Sequence, residues 1–185
     1  MADKFVEFRR QHSRTELKQQ TIRDSLTGAY NRRYFDQQLN RLILSQNKEF
    51  SLIMFDIDHF KDFNDTFGHE GGDAALIRVV NIVRSRLRSD DKLCRIGGEE
   101  FCVIYNGTDK VVERAEDIKK AIEESHSNLV NKRINHVSDT QKITISVGVA
   151  THDKNSVFDR KELYEKADNA MYQAKQSGRN QVKMA

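Results

Sequence analysis

The chain has no proline anywhere in its 185 residues, so its turns must be made by glycine, asparagine and aspartate. It has no apolar run long enough to cross a membrane as a helix. The opening residues, Met1-Ala2-Asp3-Lys4-Phe5-Val6-Glu7-Phe8, lack the apolar stretch of a secretory leader. A cytoplasmic location is therefore expected, although a longer protein containing this chain could be tethered to a membrane. A large excess of charge is missing too: the formal net charge is +3, too small to argue for nucleic acid. It is compatible with a polyanionic small molecule gathered by local lysines and arginines. Only two cysteines occur, Cys94 and Cys102. There is no disulfide framework and no Cys/His metal spacing, so two buried thiols are expected.

What is present is the balance of a single globular domain. Hydrophobic residues make up 37% and charged residues 32%, and the length suffices to bury a core. Residues 4–22 read as a charged helix with few apolar positions, a stalk or weak pairing segment, and set 1–23 apart from a domain over 24–185. From residue 31 helices alternate with strands. Helices are expected near 31–46, 71–88, 109–126 and 159–177, the last ended by Gly178 as a left-handed cap. Strands are expected at 51–57, on both arms of a hairpin at 91–105, at 143–150 and at 180–184. The polar stretch 127–141 reads as a loop or small peripheral hairpin. Together these imply an α+β fold, with helices packed on a mostly antiparallel sheet.

The chemistry gathers at two places. Arg95-Ile96-Gly97-Gly98-Glu99-Glu100-Phe101 puts two glycines and two carboxylates at the tip of the hairpin. Adjacent carboxylates repel each other and suit a hard metal ion; the bland alternative is a solvated acidic turn. The second place is Asp56, at the end of the apolar strand Ser51–Ile57. Alone it could be a strand-end cap. Facing Glu99 and Glu100 it follows the plan of a two-metal phosphoryl-transfer site.

Several ordered motifs now resemble those of the GGDEF-domain diguanylate cyclases, in the Gly-Gly-Glu-Glu-Phe variant. They are Asp24-Ser25-Leu26-Thr27-Gly28 with Asn31-Arg32-Arg33, Asp56-Ile57-Asp58-His59-Phe60-Lys61 with Asn64-Asp65, and Gly68-His69 with Gly72-Asp73. Arg95 with residues 97–101, Ser146-Val147-Gly148-Val149-Ala150, Ala167-Asp168, Ala170-Met171-Tyr172, Ala174-Lys175 and Gly178-Arg179-Asn180 complete the series. The resemblance covers about 24–183. It implies a palm-like βααββαβ core, as in nucleotidyl cyclases, and the condensation of two GTP into cyclic di-GMP with release of pyrophosphate.

The resemblance also implies roles. Asp56, the Ile57 carbonyl, Glu99 and Glu100 would hold two Mg²⁺ or Mn²⁺ ions, with Glu99 taking the proton from the attacking 3′-hydroxyl; a metal-bound alkoxide could do without such a base. The backbone of His59, Phe60 and Lys61, with the Lys61, Lys175 and Arg179 side chains, would bind phosphates. For Lys175 the bland reading is a favourable charge at a helix C-terminus. Asn64, His69 and Asp73 would read the base: guanine offers N1–H and N2–H to one carboxylate, whereas adenine presents an acceptor at N1. Arg88 and Asp91 match an inhibitory product site, or else form an i,i+3 ion pair. Asp117 stands where many members have an arginine that completes that site across a dimer. The family also implies a transient homodimer and an upstream sensory domain absent from this chain. Two rivals are a catalytically silent domain that senses GTP or cyclic di-GMP, and a cyclase with relaxed base choice.

Overall fold

The computed structural model describes residues 22–45, 48–125, 142–153, 155–156 and 159–185. The expected stalk helix, apart from its last residue, and the whole polar stretch 127–141 lie outside the described residues.

Ten elements follow in chain order: β1 (Tyr30–Asn31), α1 (Arg32–Leu44), β2 (Phe50–Ile57), α2 (Phe60–Arg86), β3 (Lys92–Arg95), β4 (Glu100–Asn106), α3 (Val111–Glu124), β5 (Ile145–His152), α4 (Arg160–Gln176) and β6 (Val182–Met184). The strands form one sheet in the order β1-β3-β4-β2-β5-β6. The β3–β4, β4–β2 and β2–β5 pairs are antiparallel, while β1–β3 and β5–β6 are parallel. The mostly antiparallel sheet flanked by helices is the expected palm-like α+β fold. β1 was not foreseen: two residues are too few to show a period.

Strand parity divides the core into two layers. Ile53, Phe55 and Ile57 of β2 join Phe101, Val103 and Tyr105 of β4 and Val147 and Val149 of β5 under α2 and α3. Phe50, Leu52 and Met54 join Cys94, Cys102, Ile104 and Ala150 under α1 and α4. Cys94 and Cys102 are register partners on β3 and β4, both free and fully buried. Burial pushes both thiols well above their usual pKa, which leaves them inert.

α2 is longer than expected because it begins at Phe60 and runs through a kink at Gly68, where φ is 73° and ψ 171°. Gly68, Gly71 and Gly72 weaken the helix there. The positive φ at Gly68 breaks its direction, giving the two successive helices of a βααββαβ core. Close packing places α4 on the sheet: a Cβ at Gly148 would lie 2.1 Å from the Ala167 carbonyl oxygen and 2.3 Å from the Met171 nitrogen. At its far end α4 stops with Gly178 at φ 110° and Arg179 N–H donating to the Ala174 carbonyl at 3.0 Å, a Schellman closure.

Candidate active site

Even-numbered residues of β2 face α4, so the same parity that buries Leu52 and Met54 turns Asp56 toward the last turn of that helix. There Lys175 Nζ lies 2.8 Å from Asp56 Oδ2. Asp56 is the register partner of Glu100 on β4, which places both side chains on the α4 side. Burial drives the Asp56 pKa up to about 6; Lys175 opposes the rise, and the charges of Glu99 and Glu100 add to it. The charges of three carboxylates thus meet at Asp56, which the Lys175 ammonium holds.

The hairpin tip is shaped by its glycines through close approach rather than positive φ. A Cβ at Gly97 would meet Glu100 Oε2 at 2.3 Å, so the Glu100 side chain folds back over the turn. Ile96 N–H and Gly97 N–H both donate to the Glu100 carbonyl, at 2.9 and 3.2 Å. Arg95 braces the turn: its Nε and Nη2 donate to the Gly98 carbonyl at 3.0 and 2.7 Å. Its Nη1 reaches Asp24 Oδ1 at 3.0 Å. Asp24 also accepts from Thr27; partial burial raises its pKa, but the Thr27 and Arg95 bonds outweigh that and lower it. The Arg95 side chain therefore braces the site and joins it to residue 24.

The expected metal ligands are all hard oxygen donors: three carboxylates and the Ile57 carbonyl. That chemistry and the surplus of negative charge fit Mg²⁺ or Mn²⁺. The side chains are not gathered for it: among the described residues no three His, Cys, Asp or Glu form a group that could hold a metal. Lys175 holds Asp56, and Glu100 lies back on Gly97.

Beyond Asp56 the chain turns at His59, left-handed at φ 56°, and enters α2 with no side-chain cap. The first N–H groups of α2 are thus left for another acceptor, the setting in which helix starts bind anions. The His59 ring faces Asp62 at 3.2 Å, so its contribution to this corner is backbone. Lys61 and Arg179 are exposed. Asp58 has a different role from Asp56: buried, it accepts from Thr144 Oγ1 at 2.7 Å, Ser146 Oγ at 2.6 Å and Asn180 N–H at 3.1 Å. It fastens the end of β2 to β5 and to the residues entering β6. A cavity of about 360 Å³ opens beside this corner, lined in part by Ile57, Asp58, His59, Phe60 and Lys142.

The kink at Gly68 folds α2 so that Asn64 leans on Gly72, where a Cβ would fall 1.8 Å from Asn64 Oδ1. Asn64 is thereby brought against the residue that precedes Asp73; Asp73 is exposed, as is His69.

Arg88 and Asp91 are not an ion pair among the described residues. Asp91 is buried and accepts from the backbone N–H of Arg88 at 2.9 Å and of Asn106 at 3.0 Å. Arg88 lies over the Tyr105 ring, 5.7 Å from its centroid. Arg23, Arg84, Arg88 and Lys92 line a cavity of about 180 Å³. Asp117 pairs with Arg86 at 3.3 Å and Arg114 at 3.4 Å.

Facing carboxylates on the central strands of a palm-like sheet, beside an uncapped helix start, define the frame of a nucleotidyl cyclase. The family model described as diguanylate cyclase, GGDEF domain, matches residues 21–181, and the chain belongs to that family. It is 41% identical over 161 residues to a probable diguanylate cyclase, DgcT, of Escherichia coli, covering 86% of this chain and 35% of that protein. It is 35% identical over 179 residues to diguanylate cyclase A of Treponema denticola, covering 92% and 46%. The chain thus spans less than half the length of these curated relatives. Among solved structures, the coiled coil and GGDEF domain of DgcB from Caulobacter crescentus, in complex with c-di-GMP, aligns with TM-score 0.86 and 29% identity. That alignment covers 100% of this chain and 96% of the other. The active GGEEF domain of a diguanylate cyclase from Vibrio cholerae aligns with TM-score 0.72 and 27% identity, covering 83% and 96%.

Proposed function

We propose that the chain condenses two GTP into cyclic di-GMP at a dimer of half-sites, with 24–185 as the catalytic domain and 1–23 as a linker helix. The observation that carries this reading is the register pairing of Asp56 with Glu100 beside the uncapped start of α2.

Asp56, the Ile57 carbonyl, Glu99 and Glu100 would hold two Mg²⁺ or Mn²⁺ ions, which neutralise charge at the α-phosphate and lower the pKa of a hydroxyl. The chain's own residues do the positioning that phosphoryl transfer chiefly requires. The N–H groups of His59, Phe60 and Lys61 receive the triphosphate, with Lys61 and Arg179 closing on it. Lys175, which now holds Asp56, would turn to the phosphates when that carboxylate serves as a metal ligand. Asn64, His69 and Asp73 form the base pocket, with Asp73 accepting from guanine N1–H and N2–H. Glu99 takes the proton of the attacking 3′-hydroxyl. Arg88, with Arg23, Arg84 and Lys92 beside it, binds product, and Asp91 serves by holding the Arg88 backbone. The site is cytoplasmic, where GTP is.

Incubation with GTP and Mg²⁺, with products separated by mass, tests the reading. The wild-type chain is expected to yield cyclic di-GMP and pyrophosphate. Glu99→Gln should yield neither while melting like the wild type, because a partly exposed hairpin carboxylate contributes little to stability. Near-normal synthesis by that variant would remove Glu99 from the mechanism.

A further inference from the structure

Arg32, at the start of α1, is tied to α4 rather than left to solvent. Its Nη1 donates to the Tyr164 hydroxyl at 3.3 Å, and its guanidinium lies over the Tyr164 ring, 5.0 Å from the centroid. Its Nε faces Asp36 at 3.4 Å, yet 48% of the side chain stays exposed. Partial burial would lower its pKa, but Tyr164 and Asp36 outweigh that and hold the charge more firmly. Such a preset, half-exposed fork suits a phosphate. No role yet described for this chain uses it.

Its position decides which phosphate. Tyr164, Asp168 and Lys175 lie at spacings of four and seven along α4, one stripe of that helix. Lys175 grips Asp56 at one end, and Tyr164 carries Arg32 at the other, about 16 Å along the axis at 1.5 Å per residue. Glu100 is linked to both ends: it pairs with Asp56, and its charge, with that of Asp168, is felt at Tyr164, where burial is the main cause of a raised pKa. The chain's own triphosphate corner is at the Lys175 end, already supplied by Lys61, Lys175 and Arg179. In-line displacement sends pyrophosphate out on that side and admits the attacking nucleotide from the opposite one, the Glu100–Arg32 side. The nucleotide that arrives there is bound to the facing copy, and its own α-phosphate is what the exposed guanidinium meets.

We infer that Arg32, positioned by Tyr164, acts across the dimer on the α-phosphate of the GTP held by the facing copy. The inference rests on the diguanylate cyclase reading and adds a residue that each half-site borrows. The chemistry is unchanged: the 3′-oxygen bonds to the α-phosphorus, the bond to pyrophosphate breaks, and the proton leaves with Glu99. Arg32 only stabilises charge on the α-phosphoryl oxygens.

Mixing two disabled variants tests this. In an Arg32→Ala/Glu99→Gln heterodimer, one half-site has Glu99 from its own copy and Arg32 from the other, so it makes one bond. The expected result is linear pppGpG formation at least about 10-fold above the sum of the separate variants, against a loss of about 100-fold or more for Arg32→Ala alone. Binding of 3′-deoxy-GTP by single copies of Arg32→Ala should match the wild type within about twofold, because the residue serves the other copy. A mixture no more active than its parts, with an active wild type, would overturn the assignment of Arg32 alone. Full activity of Arg32→Ala would do the same. A wild type that couples no GTP would overturn the reading beneath it as well. Should Arg32→Ala melt early, Arg32→Gln, which keeps the packing on Tyr164, enters the same mixture and is judged by the same outcomes.

Discussion

Lys175 and Asp56 form an ion pair of 2.8 Å across the mouth of the candidate metal site. The ammonium occupies the carboxylate that a metal ion would need, so the phosphate-binding role proposed for it would begin only once that carboxylate is taken. A helix C-terminus accounts for a lysine in this turn, but not for its reaching a buried strand-end aspartate.

If Lys175 competes for Asp56, removing it should make the metal site easier to fill without substrate. Lys175→Met is expected to tighten Mn²⁺ binding to the GTP-free protein by roughly tenfold, equivalent to about 1.4 kcal/mol, while slowing synthesis through the lost phosphate contact. Titration followed by electron paramagnetic resonance measures the first effect. Mn²⁺ affinity that is unchanged or weaker would show that the pair does not gate the site.

Asp56 also sets a pH dependence of stability. Its folded pKa is about 6, raised chiefly by burial, from an ordinary value of 3.8. Between those values the folded state binds the extra proton, so stability is greatest below the unfolded pKa and falls as pH rises through the folded one. The loss is at most about 3 kcal/mol, at 1.36 kcal/mol per unit. Asp56→Asn removes it. The metal-free variant should gain on the wild type by about 2–3 kcal/mol between pH 4 and pH 7 in urea unfolding, while losing synthesis. Parallel stability curves for the two proteins would contradict this.

Much of this was legible because it is local. The hairpin, the strand ending at Asp56 and the cap at Gly178 each follow from a period or a turn residue within a few positions. What was not legible depends on contacts distant in sequence. Arg32 meets Tyr164 across 132 positions, and Lys175 meets Asp56 between two different elements. The direction of Arg95 depended on strand parity, which its own segment does not reveal. Gly72 and Gly148 enter the sequence reading only as motif positions, yet each marks a place where Asn64 or α4 comes too close for a Cβ. Of the two readings of Arg88–Asp91, the ion pair is not what forms: the aspartate is occupied by two backbone N–H groups.

The proposed base pocket gives a prediction of specificity. Asp73 follows Gly72, on which Asn64 leans, and is exposed, free to take the role proposed for it with guanine. Asp73→Ser removes that acceptor and its repulsion of adenine N1. Discrimination against ATP should weaken by about 1–3 kcal/mol, roughly 5- to 150-fold. Competition between GTP and ATP, read by the mass of the products, measures it. An unchanged preference for GTP would take Asp73 out of base reading.

The final prediction follows from symmetry. One domain presents one Asp56–Glu100 pair and one proposed base pocket, while the proposed product joins two guanosines by two equivalent bonds. On the proposed reading two copies would face each other about a two-fold axis, each holding one GTP. The segment 4–22 is too polar for a strong zipper, so the encounter should be weak and specific activity should rise with protein concentration. Replacing residues 1–23 with a strong parallel coiled coil should raise activity at low concentration through effective concentration alone, leaving the metal and nucleotide affinities of each copy unchanged. Sedimentation beside a dilution series of the assay separates the cases. Specific activity that stays flat while the protein remains a monomer throughout would mean that one copy makes both bonds, and the two-half-site mechanism would fail with it.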